Sequence, residues 1–286
     1  MTIQQECIGC IAAQSRRVCD AIHADEALRS KITSYVDGAL QSADFTQSPP
    51  VVAAPLYEEM ARIAHKEDLY DIQKAHAAAQ AREYLPYLRD MIERSDNTLL
   101  ALLKTAVVGN VIDLASEVSF DLHEAIHSVF DTPFAHDDSD RLRSALENAR
   151  TLLYIGDNAG EHVFDALAIE TLHSLYPGLK ITYMVRGNPI INDVTAKEAR
   201  DAGIDKLCTV LDSGVPTPGF VYGLANPSAQ KAFDTADLIL SKGMGNYECM
   251  TPQRRGGICF LLKVKCSVVA ASLGRQIGDI VCWLDT

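Results

Sequence analysis

The chain changes texture near its middle. Up to about residue 148 the pattern is helical: Ala, Gln, Arg, Glu and Leu dominate, and apolar residues recur three and four apart, as in Leu85, Leu88, Met91 and Ile92. That is the period of helices burying one stripe. The stretch Ser48-Pro49-Pro50 to Pro55 reads as a connection between helices, because paired prolines cannot continue one. Asp131 to Asp140, with Pro133 and an acidic cluster, closes this half.

From Thr151 short apolar runs alternate with helical stretches. Leu152-Leu153-Tyr154-Ile155 stops at Gly156, and a helical pattern follows from Glu161 to Leu175. Ile181 to Val185 is a second run, followed by a loop and a helix through Glu198. Leu207 to Leu211 is the third, Leu238 to Leu240 the fourth, and Phe260 begins a fifth. This alternation predicts an α/β fold with a mostly parallel sheet covered by helices. The loops leaving the carboxyl ends of such strands gather along one edge, where ligands bind. Here they are residues 156–161, 186–193, 212–214 and 241–246, which hold a large share of the chain's Gly, Asn and Asp.

Composition narrows the function. The 286 residues are 48% hydrophobic and 22% charged, enough for a substantial core. The formal net charge is −12, which argues against non-specific binding to nucleic acid or an anionic membrane. A small anionic substrate stays open, since a few lysines or one metal ion invert the field locally. The first seven residues lack the basic and apolar regions of a secretory signal, and the most apolar stretch, Leu99 to Ile112, is interrupted by Lys104 and Asn110. The expectation is a soluble, cytoplasmic protein. Eight cysteines are too sparse for a disulfide scaffold.

Asp157 and Asn158 follow the first strand and Asp193 lies in the loop after the second. Carboxylate, amide carbonyl and carboxylate are hard oxygen donors suited to Mg²⁺, Mn²⁺ or a related divalent cation. Taken singly, each also reads as the cap of the helix that follows. Lys242 sits in a glycine-flanked loop after the fourth strand, and Lys263 and Lys265 lie two residues apart on the fifth. A lysine beside an oxygen-held cation is what a phosphate ester needs.

In order along the chain, Gly109-Asn110-Val111-Ile112-Asp113, Gly156-Asp157-Asn158-Ala159-Gly160-Glu161 with Asp165, Asn192-Asp193-Val194-Thr195, Ser241-Lys242-Gly243-Met244-Gly245-Asn246-Tyr247-Glu248 and Lys265-Cys266 carry a resemblance. The chain resembles the metal-dependent damage-control phosphatases, domain of unknown function eighty-nine, in particular the prokaryotic branch bearing Cys-x-x-Cys. The resemblance implies a three-layer α/β/α core, residues 149–286, with a helical N-terminal subdomain, residues 1–148. It implies one divalent cation (Mg, Mn, Co or Ni) held by Asp157, Asn158 and Asp193, and hydrolysis of phosphate monoesters of small metabolites. Asn110, Asp113, Lys242, Gly243, Asn246 and Lys265 match polar or glycine positions lining the family's site. Met244 departs from it, standing where a polar residue is common.

The expected mechanism has no covalent intermediate. Asp157 or Asp193 would ligate the cation and orient an attacking water, and Asn110 and Lys265 would hold the phosphate. Three other signals compete. His123-Glu124-Ala125-Ile126-His127 matches a zinc-hydrolase pattern, with His136 and Asp137 as possible third ligands. Cys7 and Cys10, with Cys266, could form a metal or redox site or be ordinary thiols. Gly243-Met244-Gly245 lacks the third glycine of a dinucleotide loop. The alternative from another class is a non-catalytic or redox-regulated protein that binds a phosphorylated ligand.

Overall fold

A computed structural model describes residues 1–111, 122–251 and 255–285. Three helices open the chain: α1 (Gln5–Ala21), α2 (Glu26–Leu40) and α3 (Pro49–Ala64). They form their own apolar cluster, with Val18, Ile32, Val36 and Met60 buried at its centre. The expected break at the prolines is absent. Pro49 and Pro50 occupy the first turn of α3, where the missing N–H would have had no partner anyway, and Pro55 is carried inside the helix.

The helices α4 (Asp71–Glu93), α5 (Thr98–Val111), α6 (Leu122–Asp131) and α7 (Ser139–Asn148) follow, with the two-residue strand β1 (His136–Asp137) before α7. Because α5 is apolar on all sides, it is buried: it packs on α4, α6, the later α8 (Glu161–Leu175) and strand β6 (Ile258–Lys263). The length and charge that kept Leu99–Ile112 from reading as a membrane span suit this interior position, and no helix among the described residues is long and apolar enough to cross a membrane.

The remaining elements are β2 (Thr151–Ile155), β3 (Lys180–Val185), α9 (Ala196–Asp201), β4 (Thr209–Asp212), α10 (Pro227–Thr235), β5 (Leu238–Lys242), α11 (Gly243–Met250), α12 (Ser267–Leu273) and β7 (Ile280–Asp285). The seven strands run in the order β1-β7-β6-β5-β2-β3-β4, parallel except for the β6–β7 pair. The third apolar run enters the sheet only at Thr209, since Leu207 ends a 3₁₀ turn. Neither β1 nor β7 is among the five expected strands.

Alternation of side chains makes the three layers. Leu152, Tyr154, Ile181 and Tyr183 face α4, α5 and α8. Leu153, Ile155, Met184 and Ile239 face the opposite cluster of Phe233, Tyr247 and Val269 from α10, α11 and α12.

Candidate active site

Strand order places the site. After β2 the chain builds β3 and β4 on one side, then crosses to add β5 on the other, with Ile155 opposite Ser241. The carboxyl ends of β2 and β5 thus flank a switch point, where a crevice opens. The loop after β2 supplies Asp157 and Asn158, and Glu161 is the first residue of α8. The loop after β3 supplies Asp193 and is stitched to the first loop: Val194 N donates to Asp157 O (2.8 Å) and Ala159 N to Asn192 O (2.7 Å). Asn158 and Asp193 form an isolated antiparallel bridge. Two residues distant in sequence are therefore locked together by backbone.

The amides hold the carboxylates. Asn110, at the end of α5, donates through Nδ2 to Asp157 Oδ2 and to Glu161 Oε1, both at 3.0 Å, and its Oδ1 accepts from Lys263 N. Asn158 Nδ2 reaches the same two oxygens at 3.0 and 2.8 Å. Asn110 was expected to grip the phosphate; its hydrogen bonds are instead spent on the protein. Two glycines allow this closeness. A Cβ on Gly109 would lie 2.6 Å from Glu161 Cγ, and one on Gly243, whose φ is +77°, would lie 1.9 Å from Asp157 Oδ2.

Lys242 is not in a loop. It ends β5, has no exposure, and donates to Asp165 Oδ1 (2.8 Å) and Glu161 Oε2 (3.3 Å). Asp165 also accepts from Tyr154 OH (2.5 Å) and Tyr183 OH (2.8 Å). Burial pushes the Lys242 ammonium toward its neutral form, but Asp165 and Glu161 outweigh this and hold its pKa above the ordinary value. Asn246 is likewise buried, tying Gly156 O to Lys242 O and accepting from Phe220 N. Neither residue lines the cavity described below.

Arg186, which follows β3, has 1% exposure and joins the two aspartates: Nε lies 2.7 Å from Asp193 Oδ2 and Nη2 3.7 Å from Asp157 Oδ1. Nη2 has no hydrogen-bond partner among the described residues. Among the described residues the buried carboxylates Asp157, Glu161, Asp165 and Asp193 face two buried cations in this cluster, Lys242 and Arg186. With all four ionised, two negative charges would be in surplus. Burial, then repulsion from Glu161 and Asp193, pushes Asp157 well above the usual carboxylate range. Burial also lifts Asp193 to about 6, against the pull of Arg186.

A cavity of about 460 Å³ opens beside these groups. Asn110, Asp157, Asn158, Asp193 and Lys265 reach it, as do Cys7, Cys10 and Cys266. Lys265 lies beyond the end of β6 rather than on it, with an exposed side chain and its backbone N–H on Met244 Sδ at 3.2 Å. The roof comes from α1 and α3, through residues such as Ile11, Gln14 and Pro50. Ile191, two residues before Asp193, has φ +46°, a strained conformation for a β-branched residue, and packs into the cluster of α1 to α3. Asp113 lies outside the described residues.

The donor set suits a hard divalent cation: two carboxylates and an amide on adjoining loops, with surplus negative charge to neutralise. Among the described residues no three His, Cys, Asp or Glu side chains converge as metal ligands. That leaves the Asp157, Asn158 and Asp193 set dependent on its amide. It also leaves the zinc pattern and the thiol cluster without an assembled site. His123 packs edge-on against Tyr84 and Tyr87, and His127 hydrogen-bonds Tyr87 OH, while His136 pairs with Asp138. The cysteines are thiols, and burial raises the pKa of both Cys7 and Cys266.

Glu161 and Arg186 had no role in the sequence reading. Their signals were faint: an acid opening a helix after a Gly-rich loop, and an arginine directly after an apolar strand.

The Damage-control phosphatase ARMT1-like domain family matches residues 3–281. The chain is 30% identical to "Damage-control phosphatase PH1575" of Pyrococcus horikoshii over 99% of its length and 98% of that protein's. It is also 30% identical to a "Damage-control phosphatase" of Archaeoglobus fulgidus, over 98% of each chain. A crystal structure of a duf89 family protein from Pyrococcus horikoshii superposes with a TM-score of 0.92 at 29% identity, covering 100% of both chains. The chain belongs to the Damage-control phosphatase ARMT1-like domain family.

Proposed function

We propose that the protein is a metal-dependent phosphatase hydrolysing phosphate monoesters of small metabolites. The observation that carries this reading is the surplus of buried carboxylate at the mouth of a cavity whose one cationic side chain, among the described lining residues, is Lys265. The relatives named damage-control phosphatases support it.

Asp157, Asn158 and Asp193 would hold the cation. When bound, it supplies positive charge against the phosphoryl oxygens and acidifies the attacking water. The chain's own residues then divide the work. Asn110 and Asn158 fix Asp157 through Oδ2, and Arg186 fixes Asp193 through Oδ2. The two carboxylates are thereby held in place before the cation binds. Lys265 offers its ammonium to the phosphate from the open side of the cavity. Lys242 acts one layer below, holding Glu161 and hence the two amides in place. Buried carboxylates fixed in advance need little reorganisation as charge develops.

The test is phosphate release across a panel of monoesters. Chelated protein should be inactive, each of Mg²⁺, Mn²⁺, Co²⁺ or Ni²⁺ should be tested for recovery, and Asp193→Ala should abolish release. Undiminished turnover in excess chelator would overturn the reading.

A further inference from the structure

We infer that Lys74, on α4 of the helical half, is a positioning residue for Asp193: through Glu198 and Thr195 it fixes the loop that carries this carboxylate, and so sets how tightly the site holds a divalent cation. The inference rests on the metal-dependent reading and deepens it by naming what stands behind one of the ligands.

The two acid loops are anchored differently. Asp157 is held by amides close beside it, Asn110 and Asn158. The loop bearing Asp193 is gripped from the helical half, on both sides of the aspartate. Before it, Ile190 is buried and packs with Ile191 into the cluster of α1 to α3. After it, Thr195 caps α9, and its N–H and hydroxyl both donate to Glu198 Oε2, at 2.9 and 2.6 Å. Glu198 Oε1 in turn lies 2.9 Å from Lys74 Nζ.

Lys74 has 1% exposure and also pairs with Asp68 Oδ2 at 2.7 Å, in the connection between α3 and α4. Asp68 is itself fixed, since its Oδ1 accepts from Tyr70 N at 2.8 Å. Burial disfavours the ammonium, but Asp68 and Glu198 outweigh it and keep Lys74 charged. One buried cation therefore ties the α3–α4 connection and α4 to the first turn of α9. From there the backbone leads straight back to the site. Thr195 bridges to Arg186, and Val194 joins the two acid loops by donating to Asp157 O at 2.8 Å. A shift of Thr195 would move Asp193, two residues earlier, against both Arg186 and Asp157. Groups that hold metal ligands from behind are typically worth about 10–100-fold in metal affinity.

The experiment uses Lys74→Met, with Phe233→Leu as a control that weakens the core on the opposite face of the sheet. Two quantities are read on folded protein: the Mn²⁺ dissociation constant, and hydrogen exchange of chelated protein. Lys74→Met should raise the dissociation constant at least about tenfold. It should also speed exchange over residues 190–195 and leave β3 protected as in wild type. Phe233→Leu should do neither. An unchanged constant or unchanged exchange at 190–195 in Lys74→Met overturns the inference, as do equal changes in the control. Where Lys74→Met does not fold, Thr195→Val decides: it removes one donor to Glu198 and should weaken Mn²⁺ several-fold, and wild-type affinity would refute the inference. If wild type itself binds no Mn²⁺, the metal-dependent reading fails, and exchange at 190–195 alone decides whether Lys74 fixes the loop.

Discussion

Replacing Lys242 by Met separates a buried structural ion pair from a substrate contact. The ammonium has no exposure and sits 2.8 Å from Asp165 and 3.3 Å from Glu161. Removing it strands two carboxylates in a site already carrying surplus negative charge. Breaking a buried pair from one side costs roughly 3–5 kcal/mol, or about 6–20 °C in Tm at ~2–4 °C per kcal/mol for a chain of this size. Urea denaturation of the chelated protein reads the free energy directly. Because Asp165 is the nearer partner, Asp165→Asn in the Lys242→Met background should recover part of the loss, with a coupling of about 1–3 kcal/mol. The single variant should also lose activity, since Glu161 no longer anchors Asn110 and Asn158. A Lys242→Met protein as stable as wild type, with only a raised KM for the ester, would refute this reasoning and return Lys242 to the phosphate.

Three further outcomes follow from the same geometry. In chelated protein Asp157→Asn should raise stability, because it removes a carboxylate disfavoured first by burial and then by Glu161 and Asp193, yet it should abolish the stabilisation added by Mn²⁺; thermal shifts with and without metal check both halves. Gly243→Ala should cost at least about 2 kcal/mol in urea unfolding and weaken cation binding, since φ is +77° and the new Cβ would displace Asp157 Oδ2. Burial holds His162 down at about 4, while its Nδ1 accepts from Gly160 N. The folded state therefore binds fewer protons than the unfolded chain between about pH 6.5 and 4, and His162 lowers stability progressively as pH falls through that window. Relative to His162→Asn, wild type should lose up to ~3 kcal/mol there; a pH-independent difference would contradict it.

Local periodicity was enough to delimit much of the core. The helix expected from Glu161 to Leu175 has those bounds, and the first two strand runs match β2 and β3 to within a residue. The loops after them were legible because Gly, Asn and Asp punctuate the apolar runs. What local pattern could not reveal depends on neighbours. Pro55 reads as a breaker until the surrounding helix tolerates it. Ser241-Lys242 reads as loop because a lysine seldom ends a buried strand, and it is Asp165, seventy-seven residues away, together with Glu161 that stabilises it there. Arg186 gains its role when β3 and β2 pair and bring Asp157 and Asp193 to the same guanidinium. The fold adds the roof of α1 and α3, which turns an open sheet edge into a cavity.

Equilibrium dialysis of chelated protein against Mn²⁺, with metal counted per chain, tests the shared cation most directly. One ion should be retained by wild type and lost in both Asp157→Ala and Asp193→Ala, each checked to be folded. Retention of the ion by either variant at wild-type affinity would contradict the account.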